Sequence, residues 1–384
     1  MRTANVVVIG AGVVGASVAY HLAALGCDDI LVIDRAERLG EGSTGKATGG
    51  FRCQFATEIN IKLSLLAREK LIRFEEELGV DSGYRPYGYL FLAQSDRELA
   101  ALRSAHAVQK RCGLAEVREV TPDEIHALNL SLTTEGILGG SYCPTDGFIR
   151  PMNLLTGYLE AAKRKGVQCE FGVECIGCEL TGGKITQLHT SRGNIAVNRV
   201  VNAAGAWAGG IARLLRSEIP VFPLRRQVAV VREEGRLPED MPMTIFLGDG
   251  FHLRVRDGKV LLLKPTDVPS SFDTVVEEAW ISEVEELAHR RVETLADITV
   301  DRSLCWAGLY EMTPDKHAVL GALEECENLY CVNGSSGHGV MHAPALGQLL
   351  SEIIVHGSAR TLDIHPLRPS RFREGMQNPP GEFL

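Results

Sequence analysis

Apolar residues at the start of the chain separate three elements. "NVVVIG" is a continuous apolar run, as a strand buried on both faces of a parallel sheet requires. From Val13 to Leu25 the sequence is Ala-rich and apolar at helical spacing, and "DDILVIDR" reads as a second buried strand ending in Asp34. "YGYLFLAQ" and "KVLLLKP" predict further strands. "SDRELAALRSAHAVQKRCG" and "EEAWISEVEELAHRRVETL" keep their apolar residues on one stripe and predict amphipathic helices. "EFGVECIGCELTGGKITQLHTSRG" predicts a strand, a Gly-Gly turn and a returning strand. Further on, "ENLYCVNGSSGHGVMHAPALGQLLSEII" predicts a strand over Leu329–Asn333, a glycine-rich turn and a helix. No internal repeat or low-complexity tract interrupts the pattern, and the tail "MQNPPGEFL" is expected to be loosely held.

At 384 residues the chain is long for a single core, so two domains are expected. Gly10, Gly12 and Gly15 stand between the first strand and the first helix, and Asp34 follows about twenty residues later, completing a β-α-β nucleotide-binding unit. In such a unit Gly10 permits the tight turn, Gly12 lets the backbone approach a pyrophosphate, and Gly15 lets helix and strand pack closely. The helix N-terminus offers N–H groups to the phosphates, and Asp34 accepts hydrogen bonds from ribose hydroxyls. This selects a dinucleotide with a free 2′-hydroxyl, NAD or FAD. An NAD fold would continue into another α/β unit. Here "GEGSTGKATGGFRCQF" follows instead, able to wrap more phosphate and approach a flat ring. The late glycine turn and helix supply a second helix N-terminus, suited to the charge that flavin gains on reduction, so FAD is the expected cofactor.

The formal net charge of −9 argues against a nucleic-acid binder, which needs a basic face. The apolar N-terminus has no basic region beyond Arg2 and is broken by glycines, unlike a signal peptide. No stretch approaches the roughly 20 apolar residues of a membrane span. A cytoplasmic location is expected, with the ten cysteines as reduced thiols. Cys175-Ile-Gly-Cys178 lies on a predicted strand, away from the helix N-terminus that activates redox pairs, and has no second pair to complete a zinc site. It reads as two structural thiols, and no metal is expected.

The opening unit, "GSTGKATGGFR", "VVNAAGAWA" and "GSSGHGVMHAPALG" together resemble the D-amino-acid oxidase/sarcosine oxidase superfamily of FAD enzymes. "TGGFRCQF", "YGYLFL", "PTDGFIRP" and "WAGLYEMTPDKHAVLG" are most similar to β subunits of heteromeric sarcosine oxidases and dye-linked L-proline dehydrogenases. The likeness runs in order through nearly the whole chain. It implies an α/β fold with a Rossmann-like FAD-binding domain of the glutathione-reductase type, assembled from 1–85, 145–220 and 310–384. An inserted α+β substrate domain, 86–144 and 221–309, would be built on a mixed, largely antiparallel sheet.

The resemblance also assigns residues. Gly10, Gly12, Val13, Val14, Gly15, Asp34 and Arg35 fall on the ADP-binding fingerprint. Ser43 and Thr44 match pyrophosphate contacts, and Gly49 and Gly50 lie where the chain passes the flavin. Val173 matches the residue whose backbone meets the adenine; Ala204, Gly205 and Trp207 fall at the small-residue turn beside the dinucleotide. Gly337, His338, Gly339 and Val340 match the loop at the flavin pyrimidine edge. Arg52 matches an arginine that pairs with the substrate carboxylate, a role its planar fork suits. Tyr310 matches an active-site tyrosine, with a core aromatic as the alternative.

Departures from the family pattern carry information too. The three positions where relatives attach flavin covalently are Lys46, Gly308 and the run Phe148-Ile149-Arg150-Pro151, so non-covalent FAD is expected. Met341 replaces a lysine of the sarcosine oxidases' carboxylate clamp, and Leu262 falls where those oxidases keep an oxygen-activating lysine, which favours a dehydrogenase. Lys264 is either a solvated strand end or a flavin-side cation; His252 and His338 either tune charge near neutral pH or are simply hydrogen-bonded. The reaction implied is oxidation of the C–N bond of a small secondary amino or imino acid, such as sarcosine or proline, by hydride transfer to flavin N5 with an imine product. The alternatives are a primary amino-acid oxidase acting on glycine or a D-amino acid, and a flavin-holding subunit that works only in a hetero-oligomeric complex with a partner or electron acceptor.

Overall fold

The computed structural model describes residues 2–379. The chain begins with β1 (Arg2–Ile9), α1 (Val13–Ala24), β2 (Ile30–Asp34), α2 (Ser43–Lys46), β3 (Gly50–Phe51) and α3 (Glu58–Leu78). It continues through β4 (Tyr89–Ala93), α4 (Asp96–Arg111), β5 (Arg118–Val120), α5 (Pro122–Leu128), β6 (Gly139–Cys143), β7 (Gly147–Phe148) and α6 (Pro151–Arg164). Next come β8 (Gln168–Phe171), β9 (Cys175–Thr181), β10 (Lys184–Thr190), β11 (Gly193–Asn202), α7 (Ala208–Leu214), β12 (Phe222–Val230), β13 (Met243–Phe246), β14 (His252–Arg256), β15 (Lys259–Leu263) and α8 (Glu278–Arg291). β16 (Trp306–Met312), β17 (Val319–Ala322), β18 (Leu329–Asn333) and α9 (Gly339–His356) complete it.

Two eight-stranded sheets organise these elements. The first has the order β17-β18-β11-β1-β2-β8, with β10 and β9 extending from β11. β1 lies parallel between β2 and β11, Val6–Ile9 facing Ile30–Ile33 on one side and Arg199–Asn202 on the other. The apolar run of β1 is explained by this central place. Val6 and Val8 pack into the layer formed with α1, α6 and α9, while Val7 and Ile9 pack into the opposite layer with Leu188 and Ala208. α1 is apolar on nearly every side because it is wedged under α9 and α6. The second sheet has the order β16-β12-β15-β14-β13-β4-β6-β5 and is antiparallel except where β13 runs beside β4. α8 covers one of its faces, where Leu253 and Leu262 pack against Trp280, Ile281 and Val284. A short β3–β7 pair joins Gly50–Phe51 to Gly147–Phe148.

Each sheet thus draws on separated stretches of sequence. β16 pairs with β12 along Phe222–Val228, so Tyr310 lies on the second sheet, although the expected boundary at 310 grouped it with the cofactor-binding pieces. Cys175 and Cys178 lie on β9, and burial raises both thiols, Cys175 to about 11, away from the reactive range. All ten cysteines are free. The tail is less loose than its composition suggests: the backbone N–H and the side-chain amide of Asn378 each donate to Asp315 at 3.1 Å, while residues 380–384 lie outside the described part. Among the described residues, no helix is long and apolar enough to cross a membrane, and no His/Cys/Asp/Glu cluster is arranged to hold a metal ion.

Candidate active site

A cavity of about 1540 Å³ lies between the two sheets, and every residue given a cofactor or catalytic role from the sequence borders it except Gly15. Gly15 has a packing role instead: a Cβ there would collide with the Gly10 carbonyl, so the glycine lets α1 sit close over the turn. Gly10 adopts a left-handed φ of 111° against Ala203. The α1 N-terminus has no cap from Gly12 itself; the Val13 N–H donates to Thr44 Oγ1 at 3.1 Å. Asp34 holds the turn with both oxygens, accepting from Ala11 N at 2.7 Å and Ala36 N at 2.8 Å, and its carbonyl accepts from Val173 N at 2.9 Å. Ser43 donates to the Leu309 carbonyl at 2.7 Å, pinning α2 to β16. Farther along, the Arg35 guanidinium lies 4.3 Å over Trp207, which stacks on Phe272. The Gly205 N–H donates to Asn333 at 3.0 Å, tying the end of β11 to the end of β18.

This half of the cavity suits a long dinucleotide. Two helix N-termini, α1 and α9, open on it without a side-chain cap of their own, leaving N–H groups and positive dipole ends for anionic groups. A Cβ at Gly12 would meet only the Thr44 hydroxyl at 3.5 Å, so the glycine keeps the approach to α1 open.

The other half carries the candidate chemistry. Arg52, 4% exposed, donates from Nη2 to His338 Nε2 at 3.2 Å. Since a guanidinium only donates, Nε2 is the acceptor and the His338 ring proton sits on Nδ1. The Arg52 guanidinium also lies 4.4 Å from the Phe55 ring centre. Tyr310 lies against Gly337, where any Cβ would strike its ring. His252 bonds through Nδ1 to the Gly250 carbonyl at 2.8 Å, and burial pushes its pKa down to about 4, so it is neutral at pH 7 with Nε2 as acceptor. Gly49 and Gly50 pass beside the cavity because Gly50 must clear the Tyr89 hydroxyl.

Lys264 borders the cavity, and its ammonium pairs with Glu283 of α8 at 3.0 Å. Leu262 packs in the α8 layer and does not border the cavity; of β15 only Leu263, on the opposite face, does so. β15 therefore sends no cation into the cavity. The sequence reading also missed Glu311, beside Tyr310. Its carboxylate accepts from Ser335 N at 3.3 Å near the start of α9, and burial raises its pKa to about 7. Asp146, in the "PTDG" run, accepts from Cys53 N at 2.7 Å and Gln54 at 3.0 Å, fixing the backbone next to Arg52, and is raised by burial to about 6. Both acids lie inside motifs already quoted, but nothing in their spacing marks them as shielded from water.

A sequence profile described as FAD dependent oxidoreductase, DAO, matches residues 5–353. The chain belongs to this family of FAD-dependent oxidoreductases. Its cofactor is accordingly FAD, and the open helix ends and the Asp34 turn fit it. Among DAO relatives, the chain is 30% identical to FAD-dependent oxidoreductase domain-containing protein 1 of Xenopus laevis, over 96% of this chain and 82% of that protein. It is 28% identical to mitochondrial dimethylglycine dehydrogenase of Rattus norvegicus, over 96% of this chain but only 45% of the relative. The crystal structure of L-proline dehydrogenase from P. horikoshii superposes with a TM-score of 0.91 at 28% identity, covering 98% of this chain and 100% of that one.

Proposed function

We propose that this DAO-family enzyme oxidises the C–N bond of a small secondary amino or imino acid. The observation that carries the reading is Arg52: a cation 4% exposed, on the wall of the FAD cavity, clamped between His338 and the Phe55 ring. The likeness to L-proline dehydrogenase, whose named substrate is a secondary amino acid, supports the same class of substrate. On this reading the first sheet and α9 hold FAD, and the second sheet shapes the substrate side. Bound FAD supplies a two-electron acceptor at its ring. Arg52 anchors the substrate carboxylate, and its fork fixes the reacting carbon's orientation. His252, held neutral, accepts a hydrogen bond from the substrate nitrogen at Nε2 and so orients it. The absence of a β15 lysine from the cavity wall supports an electron acceptor other than oxygen, a dye or a protein.

The test is an anaerobic panel of proline, sarcosine, dimethylglycine and glycine, followed by bleaching of the flavin's visible band, with each acid paired to its methyl ester. Secondary amino acids should bleach the flavin and their esters should not. Arg52→Ala should lower kcat/KM by about 10²-fold or more with flavin content unchanged, and Arg52→Lys should recover only part. Ester oxidation as fast as acid oxidation, or an Arg52→Ala value within about threefold of wild type, removes Arg52 from the clamp.

A further inference from the structure

The cavity holds a second guanidinium that the clamp does not use. On β12, Arg225 and Gln227 turn toward the α8 side, where Arg225 donates to Asp273 and Glu277 and Gln227 reaches Glu277. Arg226 alternates with them and faces the cavity with Val228. Its Nη1 donates only to backbone carbonyls, Arg225 at 3.2 Å and Thr266 at 3.1 Å. Nε and Nη2 bond to no protein atom among the described residues, although a guanidinium carries five donors. The nearby acid Asp267 is exposed and makes no ion pair with it. Burial lowers the Arg226 pKa, and the charges of Tyr310 and Asp267 oppose that only through space, so this half-buried cation has no carboxylate in ion-pair contact. Its guanidinium lies 5.5 Å from the Tyr310 ring centre.

Across the floor of the cavity the strand order is β16, β12, β15, β14, β13, β4. Arg226 stands at the β12 end, and Arg52 lies 5.5 Å from Phe91 at the β4 end. His252, on β14 between them, feels the positive field of both. The two cations therefore bracket a neutral acceptor. Resting on the C–N oxidation reading above, we infer that Arg226 is a second carboxylate subsite and that the substrate is a secondary amine flanked by two carboxylates, one on Arg52 and one on Arg226, with its nitrogen against His252.

The cleanest probe pair is iminodiacetate and sarcosine, which differ only in whether the second nitrogen substituent ends in a carboxylate. Wild type should prefer iminodiacetate by at least about tenfold in kcat/KM. Arg226→Gln should lower that value by about 10²-fold while leaving sarcosine within threefold, which also shows that the variant folds. Arg226→Lys should recover part of the loss. Oxydiacetate and methoxyacetate, with ether oxygen in place of the amine, report binding alone through the shift of the flavin spectrum. Oxydiacetate should bind more tightly, and Arg226→Gln should abolish the difference. Equal handling of the two amines by wild type, or equal losses on both in Arg226→Gln, overturns the second subsite while leaving C–N oxidation standing. Arg226-dependent oxydiacetate binding without bleaching by any amine keeps the subsite and overturns the oxidation reading.

Discussion

Glu311 shows how much a single side chain can depend on pH. Its pKa rises from an ordinary 4.5 to about 7 because the fold buries it, so the folded protein holds its proton more tightly than the unfolded chain. The stability this contributes is complete below pH 4.5 and is lost as pH rises through 7. In the flavin-free protein, Glu311→Gln should therefore be about as stable as wild type at pH 4.5 and more stable at pH 8, by about 1–3 kcal/mol. Thermal melts at the two pH values check this; a gain that is the same at both would mean the carboxyl is not raised. Arg226 and Glu311 also mark where sequence reading stops. The turn of Asp34 and the three glycines was legible because a tight turn and close helix packing demand particular residue types at fixed spacing. In "LRRQ" either arginine could have faced the cavity; only the pairing of β12 with β16 and the position of α8 decide it.

At the level of elements, the α1–α9 seam brings both helix starts to the cavity. α1 places Gly12 and Val13, α9 places Gly339 and Val340, and the two helices touch closely because Gly347 faces Ser17. A Cβ at Gly347 would run into the Ser17 backbone and side chain, and Ser351 adds a hydrogen bond to the Val18 carbonyl at 3.2 Å. Gly347→Val should force the helices apart, costing about 1–3 kcal/mol and lowering FAD occupancy together with the melting temperature. Full occupancy at an unchanged melting temperature would mean the seam tolerates separation. The elements themselves were readable: the strand over Leu329–Asn333 and the two amphipathic helices stand where periodicity places them. The face of β15 was not, because a strand of leucines reads alike from both sides; a neighbouring helix was needed to show that Leu262 turns away from the cofactor.

For the whole molecule, we expect FAD to be held by shape and charge alone. Lys46 and Gly308 meet at β16, where a Cβ on Gly308 would overlap the Lys46 side chain, and neither residue offers a covalent anchor. Acid precipitation should leave the yellow colour in the supernatant, and a fluorescent protein band after denaturation would show a covalent link.

The interleaving of the two sheets also sets an order in time. β1 lies between β2 and β11, and α1 rests on α6 and α9, so the first helix made waits for the last. At about 5–20 residues per second, a ribosome needs roughly 20–70 seconds to pass from the Gly10 turn to the end of α9. Throughout that interval the apolar sides of α1 lack their final cover, and the far helix end that receives FAD does not exist. A chain cut before α9 should therefore bind no FAD, and until α9 emerges only α6 is present to cover α1.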